Sequence, residues 1–124
     1  MDRKFTVTQA RQLLPEAVAA TERLMVIRRE LVEAQLAMSS ESSDTGAIPQ
    51  AKALEAQLHE IVEGLVQLGL QVKGIAPVLV DFPSVVDGQD GLLCWLEREP
   101  DLAYWHPVEL GFMGRRPLPD QTPG

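Results

Sequence analysis

Apolar positions along the chain follow a helical period up to Gly69 and an alternating one after it. Leu13, Ala17, Ala20, Leu24, Ile27, Leu31, Ala34 and Met38 are spaced alternately four and three apart, a heptad seam on one face of a helix. Leu14, Val18, Met25, Val32 and Leu36 add a second stripe, so this helix offers more apolar surface than one partner helix covers. Thr6 stands three residues before Gln9, the spacing of a capping box, and Phe5 is placed to staple the first turn. Pro15, which lacks an amide donor, either kinks this helix or divides it at Leu14. The serine-rich stretch from Ser39 to Ile48 reads as a flexible loop. Behind Pro49, the seam resumes through Ala51, Leu54, Leu58, Ile61, Leu65 and Leu68, and Gly69 suits the left-handed residue that ends a helix. Two seams joined by one loop predict an antiparallel helical hairpin with arms of roughly 30 Å.

Beyond Gly69 the period becomes two. Leu70 and Val72, then Val78, Val80 and Phe82, alternate as half-buried strands do. Phe82-Pro83 is expected to halt that ladder, and Asp87-Gly88 signals a turn. Leu92–Leu96 and Leu102–His106 read as paired strands around a turn at 97–101. The segment from Leu110 to Arg116 fits neither period, and residues 117–124 read as a tail. The resulting fold class is α+β: a long antiparallel helical hairpin followed by a small antiparallel β-sheet packed on it. The expected organisation is a single domain over 1–118 (hairpin 7–69, β region 70–116), with 119–124 disordered.

Composition narrows the function classes. A net charge of −7, with pI about 4.7, speaks against a nucleic-acid partner. The single cysteine rules out an internal disulfide and fits a reducing compartment. No apolar run is long enough for a membrane span, and Met1 to Thr6 lacks a signal-peptide core, so a cytoplasmic location is expected. The surplus apolar stripe favours association, and a symmetric homodimer through the helices is the simplest closure.

Chemistry-bearing residues gather late in the chain. Both tryptophans, the tyrosine, the cysteine and His106 lie between Gly91 and Arg116. His106 and Glu109, three apart, could converge with Asp81 as ligands for zinc or ferrous iron, or as base and orienter in proton transfer. The favoured reading of the same residues is a structural network, with Arg115 paired to Glu109 and Trp95, Trp105 and Phe112 as core. In a binding reading, Asp81, Trp95, Trp105, His106, Glu109 and Arg115 line a ligand or partner groove. Cys94 reads as core, and Arg115-Arg116 beside Gly111 and Gly114 as a weak anion candidate. On the second helix Glu55, His59 and Glu63 share one face. A zincin helix needs histidine at 63 and a di-iron helix needs glutamate at 56, where this chain has Ala56, so that face is expected in solvent.

The motifs Val80-Asp81-Phe82-Pro83-Ser84, Leu93-Cys94-Trp95, Tyr104-Trp105-His106 and Gly111-Phe112 with Gly114-Arg115 and Pro117, together with Phe5-Thr6 and Leu13-Leu14-Pro15, resemble a bacterial domain-of-unknown-function family (number twenty-two-oh-three). The resemblance runs from Phe5 to Leu118. It implies no activity, substrate or cofactor. It does imply a glycine before the glutamate matched by Glu99, where this chain has Arg98. Two functions therefore stand side by side: a non-enzymatic, homodimeric interaction or ligand-binding module, and a metal-binding or acid–base enzyme centred on His106, Asp81 and Glu109. Convergence of those three beside an open cleft would favour the enzyme, and burial the module.

Overall fold

The computed structural model describes residues 3–39 and 46–119; the central part of the serine-rich loop and the end of the tail lie outside the described residues. α1 runs unbroken over Val7–Met38 with Pro15 inside it, on an exposed side of the helix. Its start is the expected capping box: Thr6 Oγ1 accepts the Gln9 amide at 3.0 Å, and the Gln9 side chain accepts the Thr6 amide at 3.0 Å. α2 spans Ala47–Gln67, with Pro49 in its first turn, where a missing donor costs nothing. Gly69 follows at φ +98, the left-handed residue the sequence called for. At the standard rise α1 is about 48 Å long and α2 about 32 Å, so only α2 matches the expected arm length. The seam joins them: Ala34, Ala51 and Leu54 are buried together with Ile27 and Leu31 against them.

Five antiparallel strands follow in the order β1-β2-β3-β4-β5. They are β1 (Gln71–Ile75), β2 (Val78–Val86), β3 (Gln89–Leu96), β4 (Tyr104–Pro107) and β5 (Arg116–Pro117), with a short 3₁₀ helix at Phe112–Gly114. The β2–β3 turn carries Asp87 at φ 52 and Gly88 at φ 75, the two positive values of a type I′ hairpin. Pro83 does not halt β2. The Pro83 carbonyl accepts the Phe5 amide at 2.7 Å, and pairing with β1 ends at Asp81. Its missing amide therefore faces an edge where no ladder bond is due. Phe5 itself is buried edge-on against Phe82, with ring centroids 5.8 Å apart.

One face of the sheet, bearing Val78, Val80, Phe82, Leu93, Trp95 and Trp105, packs on Ala17, Leu24 and Leu65 of the hairpin. Arg28 of α1 clamps the far end. Its guanidinium grips both carboxylate oxygens of Glu97 at 2.8 and 3.1 Å and donates to the Ile75 carbonyl at 2.6 Å. The tail starts later than expected. Arg116 and Pro117 pair with Trp105 and Tyr104, and Leu118 is buried with its amide on the Ala103 carbonyl.

Candidate functional site

Alternation along β2, β3 and β4 sorts the candidates onto two faces. Val80 lies opposite Trp95 and Leu93 opposite Trp105 on the face toward the helices. The tryptophans are therefore core and line no groove. Trp95 Nε1 donates to the Glu99 carbonyl at 3.0 Å, and the Trp105 ring presses on Gly91, where a Cβ would lie 2.7 Å from it. The next residue on each strand points away from the helices. Asp81 lies opposite Cys94, and His106 lies opposite Leu92, two residues from Cys94 on the same face.

This outer face carries the only group of three or more His, Cys, Asp or Glu side chains among the described residues whose ligand atoms converge: Asp81, Cys94 and His106, all within 4.8 Å of one another. Their exposures are 1%, 0% and 3%. Asp81 Oδ2 is 3.3 Å from His106 Nε2 and 3.4 Å from Nζ of the half-exposed Lys73 on β1. Asp81 Oδ1 is buried without a hydrogen-bond partner. His106 Nδ1 lies 2.9 Å from the Pro107 carbonyl. A carbonyl only accepts, so Nδ1 carries the hydrogen and Nε2 turns toward the carboxylate. Burial pushes the Cys94 thiol up to about 12, Asp81 adds to the rise, and Arg115 pulls against it. At neutral pH Cys94 is a thiol and no nucleophile.

Arg115 crosses this face beside the cluster. It donates to the Cys94 carbonyl at 3.2 Å and to Glu99, and its guanidinium lies 4.2 Å from the Tyr104 ring centroid. Glu99 also accepts the Leu96 amide at 2.8 Å. The residue before it, Arg98, sits at φ +78, the conformation a glycine adopts without strain.

Of the residues proposed to converge, Asp81 and His106 meet, whereas Glu109 is exposed on the loop after β4 and absent from the cluster. Arg115 pairs with Glu99, not with Glu109. Sequence reasoning missed Lys73, for which no motif speaks, and set Cys94 aside as core. Its signal was the alternation that puts residues 81 and 94 on one side of the sheet. A cleft of 720 Å³ is lined among others by Arg3, Lys4, Lys73, Ser84 and Asp90, and by none of Asp81, His106, Glu109 or Arg115. Ser84 is spent there, donating to the Phe5 carbonyl at 2.6 Å. On α2, His59 and Glu63 stand in solvent, 3.9 Å apart.

The chain matches a family described as "Uncharacterized conserved protein (DUF2203)" over residues 3–118. No curated protein and no solved structure matches it.

Proposed function

The chain belongs to this family of uncharacterized conserved proteins, and on that premise we propose that it is a non-enzymatic interaction module, a homodimer joined through its helices. The loop between β4 and β5 is its recognition surface. One observation carries the reading: Val108, Leu110, Phe112 and Met113 are 56%, 43%, 39% and 95% exposed within six residues. Large apolar side chains grouped on a loop are typical of contact surfaces. Arg115 holds the loop's far end, stacking 5.0 Å from the Phe112 ring centroid while it binds Glu99 and Cys94 on the sheet.

The reading as a non-enzyme is supported by the burial of Asp81 and His106, which leaves a substrate no approach to them. The dimer is supported by α1. Its second stripe packs on the core through Leu14, Val18 and Met25, then runs on into solvent at Val32 and Leu36, 50% and 65% exposed. A second copy would cover that continuation. A lone buried thiol suits a reducing compartment, and the cytoplasm is the setting we assign. No helix among the described residues is long and apolar enough to cross a membrane.

Light scattering is expected to give twice the 13.7 kDa chain mass, and Leu36→Glu with Val32→Glu the single mass. A wild-type mass of one chain overturns the dimer. For the loop, oxidative footprinting of Met113 should show strong oxidation in the purified dimer and protection in intact cells. Equal oxidation in both removes the partner, and protection in the purified protein moves the dimer contact from the helices to the loop.

A further inference from the structure

Independently of the partner surface, we infer that Asp81, Cys94 and His106 form a site for a zinc-class divalent metal ion, with the Asp81 carboxylate, one thiolate and one imidazole nitrogen as ligands. Carboxylate, thiolate and imidazole are a ligand set for zinc and its late first-row neighbours. The three ligand atoms lie within 4.8 Å of one another, and the closest described pair, Asp81 Oδ2 and His106 Nε2, is 3.3 Å apart. Metal–ligand bonds of about 2.0–2.3 Å place tetrahedral ligands roughly 3.3–3.7 Å apart. The pair is already at that spacing, and the Cys94 thiol lies within 4.8 Å of both. Three protein ligands leave a fourth position for water.

Two further observations point to an ion. The first is the orientation of His106. Its Nδ1–H is committed to the Pro107 carbonyl at 2.9 Å, the arrangement that fixes a metal-binding imidazole. Nε2 then faces Asp81 Oδ2 at 3.3 Å, a pair of atoms that a metal ion between them would join. The second is Asp81 Oδ1, buried without a partner in a carboxylate that is 1% exposed. A buried acceptor left unpaired is costly, and coordination to a cation would satisfy it.

The surrounding charges define the competition. Lys73 from β1 reaches Asp81 Oδ2 at 3.4 Å, and Arg115 sits against the Cys94 carbonyl with Glu99 as its counter-charge. A metal displaces the half-exposed lysine, drives off the thiol proton and leaves Arg115–Glu99 in place.

Cobalt(II) is the probe. Metal-free protein titrated with cobalt(II) is expected to develop a thiolate-to-cobalt charge-transfer band and intense tetrahedral visible bands, saturating at one ion per chain. Zinc should bleach both. Cys94→Ser should abolish the charge-transfer band, and His106→Gln should weaken binding at least about 100-fold, beyond the range for losing an outer-shell partner. Lys73→Met should tighten it, a readout that holds even if the buried variants do not fold. His59→Ala should change nothing. Overturning results are a wild-type titration without a sulfur band, bands abolished by His59→Ala, or a Lys73→Met variant that binds no more tightly than wild type. None of these readouts depends on a partner or on the dimer.

Discussion

Arg98 shows at the scale of one residue how local geometry and sequence can disagree. The turn from β3 to β4 needs a left-handed residue, because the Glu99 amide returns to the Leu96 carbonyl while the Glu99 carboxylate takes the Leu96 amide. The chain fills that position with arginine at φ +78, its side chain 80% exposed and 3.7 Å from Glu97. A non-glycine residue in the left-handed region costs about 1–2 kcal/mol, and glycine returns roughly 1 kcal/mol of that as extra freedom in the unfolded chain. Arg98→Gly is therefore expected to raise stability by up to about 1 kcal/mol, and Arg98→Val to lower it by more than that. Urea unfolding of both variants is the check, and a glycine variant less stable than wild type removes strain as the reason. The glycine expected from the family resemblance thus marks a backbone requirement that composition alone does not reveal.

The elements themselves were legible wherever one period dominated. Heptad spacing located both helices, and alternation with Asp87-Gly88 located the β2–β3 hairpin. Pro83 misled because the cost of a missing amide depends on whether the edge it faces is paired, which only the docking of Phe5 decides. The candidate site was half legible. Asp81 and His106 stand out as ionisable residues in apolar strands, whereas Glu109 was chosen for its spacing from His106 and Cys94 passed over, since pairing between strands is set by register. The Arg28–Glu97 clamp between α1 and the end of β3 left no sequence signal at all. The Arg28 guanidinium, with the Val78 amide, holds the Glu97 carboxyl at about 2 against an ordinary 4.5. A depressed carboxyl contributes stability that is complete above the unfolded value near 4.5 and is lost as pH falls toward 2. Glu97→Gln is expected to cost about 2 kcal/mol at neutral pH, the scale of a hydrogen bond to a charged group. The gap to wild type should close on acidification from pH 5 to about 2. A gap that stays constant over that range would show that the clamp acts through packing alone.

Across the whole molecule, three ties make hairpin and sheet one cooperative body. Phe5 docks on β2 ahead of α1, Leu24 and Leu65 meet the tryptophan face midway, and Arg28 clamps Glu97 beyond them. Neither layer has another way to bury its apolar face. A hairpin melting alone would strip Val80, Phe82, Trp95 and Trp105, and a sheet melting alone would strip Leu24 and Leu65. Far-ultraviolet ellipticity, which follows the helices, and the fluorescence of Trp95 and Trp105, which follows the sheet, are therefore expected to share one urea midpoint at fixed protein concentration. Leu24→Ala, from a side chain with no exposure, should move both probes together by about 3 kcal/mol. Leu36 is 65% exposed, so on the proposed dimer reading the main effect of Leu36→Glu on the midpoint is expected through the second copy, as a fall in the dependence of that midpoint on protein concentration. Two separated midpoints would instead mean that the hairpin holds itself together, and the sheet would then be a cover laid on an independent helical scaffold.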